Sequence, residues 1–253
     1  MARLREQHLQ RYLMTLVRRL RRLVEQHIIP ELNSRDAAKL RRSLADLALL
    51  LEGAINEKAL LTAIRRMLRR VQRFAVQQIT EQIRKVSPER LAISPVARSP
   101  RLARALAERV HESARLIKTI PKRYHERVSR AVLEGIEQGR STKAILKEIY
   151  AIGRSTARRA ELIARDQVGK GLASIMEAQQ RDLGLKKFRW VTSRDERVRP
   201  AHRRLDGKVF TWAQGAPRHI EPAGYPGMAP LCRCAALPIY EELRALFKKR
   251  ERT

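Results

Sequence analysis

Aromatic side chains and cysteines are scarce in this sequence of 253 residues. Aromatics make up 4% of it, and there are two cysteines, Cys232 and Cys234. Two cysteines are too few for a disulfide scaffold, so we expect both to be thiols in a reducing compartment. No apolar run approaches the ~18 residues of a membrane-spanning helix, and the N-terminus lacks the apolar core of a signal peptide. These absences predict a soluble protein that is not exported by a standard signal route and has no membrane partner.

Acidic residues are also few compared with basic ones. The sequence has 26 Asp and Glu against 55 Lys and Arg, which leaves a formal net charge of +29. The excess is spread evenly, because residues 1–86, 87–186 and 187–253 carry net charges of +11, +10 and +8. Such a charge favours polyanions, so double-stranded DNA, bound without sequence specificity, is the expected partner. Hydrophobic residues still make up 43%, which indicates a folded protein.

Aromatics and prolines divide the chain into a long helical part and a compact terminal part. Residues 1–186 contain four aromatics, whereas the last 67 residues contain seven, with six of the 11 prolines. We predict the α+β class, predominantly α, with an extended helical N-terminal region followed by a small mixed domain that has a short β-sheet at the C-terminus. The predicted parts are basic amphipathic helices over 1–86, a Ser-Pro-rich connector over 87–100, and a domain over 101–253 that comprises helices 101–184, a compact β-containing part 187–240 and a basic tail 241–253.

Three amphipathic helices are predicted in region 1–86. The first has one apolar seam at a 4-3-4-3-4 spacing, formed by Leu9, Leu13, Leu16, Leu20, Leu23 and His27, and it ends at Pro30. The second begins at a Ser34 cap and ends at Gly53. The third carries an apolar stripe from Leu61 to Ile83. Five arginines lie mostly off that stripe and are candidate DNA contacts: Arg65, Arg66, Arg69, Arg70 and Arg73. A solvated surface helix is the alternative interpretation of this pattern.

Helical periodicity resumes after the connector and then gives way to strand patterning. The predicted helices end at Pro121, at Gly139 and near Tyr150, and a last one runs from about Ser155 to Leu183 with Gly184 as its C-cap. Alternating side chains predict strands around 188–192, 209–212 and 235–239.

The segment between Trp190 and Trp212 combines charged residues with turn signals. Asp195 lies among three arginines, and a charge-assisted bond from one of them would pin its loop; the three are Arg194, Arg197 and Arg199. Pro200 and His202 predict one short helical turn, and Asp206-Gly207 predicts a tight turn into the next strand. The two tryptophans are expected to supply much of the core of the small sheet.

Cys232, Cys234 and His202 are residue types that bind zinc. Their Cys-x-Cys spacing differs from the usual ligand pairs, and His219 or Asp195 would have to serve as a fourth ligand. Two interpretations stay open: a structural zinc, or two small buried thiols beside a hydrogen-bonded core histidine. No other cofactor is expected.

Several motifs follow one another over about residues 110–240. In chain order they are IARDQVGK at 163–170, Gly184, Trp190-Val191-Thr192-Ser193, Asp195-x-Arg197-Val198-Arg199-Pro200-x-His202, Leu205-Asp206-Gly207-Lys208-Val209-Phe210-x-Trp212, and Cys232-Arg233-Cys234. Together they resemble the phage Mu protein F-like family, the phage head morphogenesis or minor head proteins. Some family members carry a Cys-x-x-Cys pair ahead of the turn and a histidine before Cys-Arg-Cys. Here those positions hold Arg199, His202 and Ala229, so the resemblance keeps at most His202, Cys232 and Cys234 of such a metal set.

The resemblance implies a non-enzymatic virion component of a tailed phage or prophage. It implies an internal head protein at the portal vertex, present in multiple copies, whose partners are the portal protein, other head proteins and packaged DNA. During assembly such a protein is in the host cytoplasm. The basic composition agrees with this setting, because a head interior is dense with phosphate. We expect region 1–86 to dock on the portal or a neighbouring copy, while the basic helices and the terminal domain face DNA.

Three other functions stay open at this point. A sequence-independent DNA-binding protein not tied to a virion would bind DNA and have no affinity for a portal. A structural adaptor would use its helices for docking and its charge for solubility. A metal-dependent nuclease would use Asp195, His202, His219 and Glu221, although their spacing matches no recognised nuclease motif.

Overall fold

Almost all described residues up to Asp182 are helical. The computed structural model describes residues 2–85 and 99–251. Helices α1 to α5 span Ala2–His27, Ala37–Glu52, Glu57–Arg84, Pro100–Glu137 and Thr142–Asp182, with a 3-10 helix at Ile29–Ser34. The later elements are β1 Lys187–Val191, α6 Pro200–Arg203, β2 Val209–Thr211, β3 Ala235–Pro238 and α7 Tyr240–Glu251. This architecture confirms the predicted fold class, predominantly α with a short C-terminal sheet.

The chain forms two compact units, each built from separate stretches of sequence. One contains residues 1–66 and 111–164, and the other contains residues 67–110 and 165–253. The predicted division into 1–86, 87–100 and 101–253 follows the chain linearly. Most of the connector lies outside the described residues, so that division stays a prediction. Within the described ranges, no helix is long and apolar enough to cross a membrane.

The apolar seam of α1 is buried as predicted over its first three turns. Leu9, Leu13 and Leu20 are fully buried, and Leu16 nearly so. Beyond Leu20 the seam departs from the predicted spacing, because the buried residues are Val24 and Ile28, whereas Leu23 is half-buried and His27 is exposed. Four residues advance slightly more than one turn of an α-helix, so the two successive steps of four from Leu20 to Ile28 rotate the buried face gradually around the helix.

Helix α2 begins two residues later than predicted. Its N-cap is Asp36, whose carboxylate accepts hydrogen bonds from the backbone N–H groups of Ala38 and Lys39 at 2.9 and 3.0 Å. Ser34 lies in the 3-10 helix instead, where its hydroxyl donates to the Glu31 carbonyl. The predicted end at Gly53 is confirmed.

Two predicted helix ends lie inside continuous helices. Pro121 is buried within α4, flanked by buried Ile117, Ile120 and Tyr124, so the packing of that stripe outweighs the helix-breaking tendency of proline. The sequence predicted a break between about Tyr150 and Ser155, where α5 is continuous. Within this stretch, an added Cβ at Gly153 would lie 3.2 Å from Cδ of Arg21. This glycine therefore allows a close approach and does not end a helix.

The small sheet has the strand order β2-β1-β3, with both pairings antiparallel. Phe188 on the central strand lies opposite Phe210 and Pro238, and Trp190 lies opposite Ala236. All three predicted strands are confirmed. Phe188 and Trp190, two residues apart, are both fully buried, as the alternation of side chains along a strand requires.

Two polar contacts hold the sheet against the helices of its own unit. The Gln180 side-chain amide in α5 donates to the Ala236 carbonyl at 2.9 Å. The Glu242 carboxylate in α7 accepts the backbone N–H groups of Lys186 and Lys187 at 2.9 and 3.2 Å. The segment predicted as a basic tail is thus helical through Glu251, and its Leu243 packs in an apolar cluster with Ile79, Ile83, Leu183 and Leu185.

Candidate functional site

The two tryptophans of the motif lie in the core of the small sheet. Trp190 and Trp212 are 0% and 3% exposed, in one cluster with Phe188, Leu205 and the two cysteines. The Trp212 and Phe188 rings lie 4.3 Å apart between centroids, and Trp190 meets the His202 ring edge-on at 5.6 Å. These residues therefore form the apolar wall against which the polar residues of the motif are placed.

Asp195 is held by a guanidinium, but not by one of the three neighbouring arginines named from the sequence. Its carboxylate accepts two hydrogen bonds from Arg233, at 2.5 and 2.6 Å, and one from the backbone N–H of Arg197 at 3.0 Å. The Arg233 side chain is the main cause that holds the pKa of Asp195 below its usual range. The side chain of Arg199 instead donates to the Pro230 carbonyl at 2.6 Å. Both contacts join the 195–199 loop to the chain beside the cysteines.

The turn that leads into β2 is fixed by a second carboxylate. Asp206 accepts the backbone N–H of Thr192 at 2.8 Å, and the Arg194 guanidinium lies 3.3 Å from its other oxygen. Gly207 has φ +77°, which favours glycine, and its N–H donates to the Trp190 carbonyl. The predicted Asp206-Gly207 turn is confirmed.

His202, Cys232 and Cys234 converge in the interior of this unit. His202 lies on the short helix α6, which begins at Pro200, and it is 3% exposed; each cysteine is 8% exposed. The imidazole Nδ1 lies 3.5 Å from each of the two sulfur atoms. The opposite nitrogen, Nε2, lies 2.6 Å from Oε2 of Glu221, which is also buried.

The two thiols have opposite tendencies to ionise. A hydrogen bond from the Cys234 thiol lowers the pKa of Cys232 to about 5, helped by the backbone N–H groups of Cys234 and Gly227. The same hydrogen bond raises the pKa of Cys234, and burial raises it further. Cys232 is therefore the more acidic thiol of the pair.

The donor set fits a zinc ion or a similar transition metal. Sulfur and imidazole nitrogen are the ligands that zinc prefers, and the three donor atoms lie within 4.8 Å of one another. The predicted fourth ligand is not in this group: Asp195 is bound by Arg233, and His219 is exposed.

The residues of the nuclease alternative do not gather at one place. His202 and Glu221 pair in the interior, Asp195 pairs with Arg233 at the surface, and His219 is not part of the buried donor group. A metal-activated water with a nearby general base would need these groups to face one common space.

Arg233 and Glu221 have roles that the sequence analysis did not assign. A signal for Arg233 is available in the sequence, because alternation along an extended chain places it on the face opposite to Cys232 and Cys234. The structure follows that alternation, with both cysteines buried and Arg233 exposed. The pairing of Glu221 with His202 joins a residue in irregular structure to one on α6, 19 positions away, and no periodicity connects them.

The candidate DNA-contacting arginines lie on α3. Arg65, Arg66, Arg69 and Arg73 are exposed, and Arg70 is half-buried. The burial of Ile64, Leu68, Val71 and Ala75 confirms the apolar stripe, although Leu60 is buried in place of Leu61. Exposed cations can contact phosphate, so these residues stay predicted DNA contacts.

The described residues define a mostly helical protein whose C-terminal part is a small sheet with a buried His-Cys-Cys cluster. Residues 126–237 match the family model described as "Phage Mu protein F like protein", and the chain therefore carries a domain of the phage Mu protein F-like family.

Two curated relatives are similar to parts of the chain. An uncharacterized protein of Haemophilus influenzae is 32% identical over 150 residues, which are 59% of this chain and 33% of the relative. An uncharacterized protein of Methanocaldococcus jannaschii is 30% identical over 117 residues, 46% of this chain and 18% of the relative. The chain thus spans a third or less of the length of these relatives. No solved structure matches it.

Proposed function

We propose that this protein is a phage minor head protein, an internal virion component at the portal vertex that acts in head assembly and contacts packaged DNA. The observation that carries the proposal is the phage Mu protein F-like domain over residues 126–237. The family is one of structural phage head proteins, and the even basic charge suits a protein that lies beside dense DNA.

The proposal assigns portal docking to region 1–86. Within this region α2 exposes two apolar side chains, Leu49 at 71% and Leu50 at 40%. Exposed leucines on a helix whose other leucines are buried are suited to contact with a partner. The N-terminal helices therefore offer an apolar contact, while the arginines of α3 are assigned to DNA.

Co-purification with the portal protein encoded by the same phage or prophage tests this assignment. In the full-length chain, Leu49→Glu with Leu50→Glu is expected to lower portal recovery at least about tenfold, because two buried carboxylates at a contact are costly. The matched control is Leu162→Glu, since Leu162 is an exposed leucine outside region 1–86, at 45%. Equal portal recovery for both variants would contradict docking through α2, and no recovery with the unaltered chain would contradict the portal assignment.

The same assay separates the proposal from a DNA-binding protein that is not tied to a virion. Such a protein would bind DNA and leave the portal unbound in nuclease-treated extract. Detection of the chain in purified, DNA-filled heads supports the virion assignment, and its absence from heads contradicts it.

A further inference from the structure

The buried cluster of His202, Cys232 and Cys234 has the chemistry of a metal site. Three soft or borderline donor atoms lie within 4.8 Å of one another in a region that is almost closed to solvent. Magnesium and calcium prefer oxygen ligands, which this cluster does not offer. Thiolate and imidazole together favour zinc or a similar divalent transition metal.

Glu221 orients the histidine for this role. A metal bound through Nδ1 of His202 needs the ring proton on Nε2, and the Glu221 carboxylate, 2.6 Å from Nε2, is placed to accept a hydrogen bond from it. Nδ1 is the nitrogen that faces the cysteines, 3.5 Å from both sulfur atoms. A carboxylate behind the histidine is the usual support of a metal-bound imidazole. The other oxygen of Glu221 accepts the backbone N–H of Ala223 at 3.0 Å, which fixes the carboxylate in turn.

The surrounding chain holds the two sulfur atoms without help from a metal. Leu231, just before the first cysteine, has φ +55°, and its N–H donates to the Asp166 carboxylate at 2.7 Å. Arg233, between the cysteines, is clamped on Asp195 by two hydrogen bonds. The backbone on both sides of Cys232 is therefore fixed from outside the cluster. A site that is preorganised in this way loses little conformational entropy when an ion binds.

We propose that the two sulfur atoms and Nδ1 of His202 bind one Zn²⁺ ion, with Glu221 as the positioning residue that holds His202. Zinc binds cysteine as thiolate, so both sulfur atoms bind deprotonated and any protons that they carry pass to solvent. Among the described residues no fourth protein ligand joins the group, so a water molecule or a small anion completes the coordination. The proposal stands independently of the virion assignment, because it depends on this cluster alone.

Metal analysis and cobalt titration of the full-length chain test the site. We expect one zinc per chain after purification without added chelator. Co²⁺ added to the zinc-free protein is expected to give the intense near-ultraviolet absorption of a cobalt–thiolate bond. The double variant Cys232→Ser, Cys234→Ser should remove this absorption.

The role of Glu221 in positioning His202 is tested by a separate measurement. Glu221→Gln keeps the shape and a hydrogen-bond acceptor but removes the charge, and we expect a metal affinity lower by on the order of 10- to 100-fold with the cobalt–thiolate absorption retained. The matched control is His219→Ala, because His219 is an exposed histidine two residues away and should leave affinity unchanged. Circular dichroism of each variant confirms that it is folded.

Two results would overturn the proposal. The first is a folded, fully reduced wild-type chain that contains no zinc and shows no cobalt–thiolate absorption, which would make the cysteines buried thiols only. The second is a Cys232–Cys234 disulfide in protein purified under anaerobic, reducing conditions. Unchanged affinity in Glu221→Gln would remove the positioning role alone. Portal recovery does not enter any of these measurements, so failure of the metal site and failure of the virion assignment are distinguishable.

Discussion

At the residue scale, the turn before β2 depends on the charge of Asp206. The backbone N–H of Thr192 is the largest cause that holds the pKa of this carboxyl below its usual range, with Arg194 adding to it. A carboxyl with a lower pKa in the folded state stabilises the fold above its unfolded pKa of about 4, and the stabilisation is lost as the pH falls through the folded value.

Asp206→Asn should therefore lower the urea midpoint of unfolding at pH 7 and lower it less near pH 3. Asparagine retains an oxygen that can accept the Thr192 N–H, so the difference between the two pH values isolates the charge. Urea titrations of both chains at the two pH values measure it. A midpoint difference that is the same at pH 3 and pH 7 would show that the charge of Asp206 is not involved.

Two features of individual residues could be predicted only in part from the sequence. A clamp on Asp195 was predictable, since a carboxylate in an arginine-rich loop favours an ion pair. The partner was not, because Arg233 is 38 positions away and the local arginines satisfy the same rule. Likewise His202, Cys232 and Cys234 were named from residue type, whereas their common burial depends on how α6 and the segment before β3 come together in the folded unit.

At the element scale, α4 tolerates a proline that should interrupt it. Pro121 lacks the N–H that would bond to the carbonyl of Ile117, four residues earlier. Pro121→Ala restores that donor and removes the ring from a buried position. An interior proline costs about 3 kcal/mol relative to alanine, and lost packing offsets part of this difference. We therefore expect a net gain of about 1 kcal/mol in the free energy of unfolding, measured by urea denaturation.

A less stable Pro121→Ala chain would show that the packed ring contributes more than the restored hydrogen bond.

The same element shows what periodicity can and cannot predict. Local spacing located the helical segments before Gly184 and all three strands, because a buried stripe repeats within a few residues, but it did not locate α7, which was predicted as a basic tail. The joining of helices across Pro121 and Gly153 depends on neighbouring side chains such as Arg21, which no local pattern includes.

At the scale of the whole molecule, the charge raises the question of whether DNA binding is local or general. For double-stranded DNA, the logarithm of affinity falls with the logarithm of salt concentration, with a slope of roughly −0.9 per phosphate neutralised. The triple variant Arg65→Gln, Arg69→Gln, Arg73→Gln should make this slope less steep by up to about 3 units if α3 contacts DNA. Filter binding of a plasmid fragment over a salt series measures it.

A second triple variant with the same loss of charge serves as the control. Arg11, Arg18 and Arg22 are exposed arginines on α1, and their replacement by glutamine should change the slope less. Equal changes in both variants would assign binding to overall charge and contradict a specific role of α3. A slope near zero in the unaltered chain would contradict phosphate binding altogether.

Successive residues of the tripeptide Cys232-Arg233-Cys234 face opposite sides of the chain. Its outer members point into the buried cluster, while its central member reaches the surface and clamps Asp195. A shift of one residue would send the guanidinium into the interior and both sulfur atoms into solvent. This stretch should therefore reject any insertion or deletion even when its three residues are kept, so its length is constrained as well as its composition.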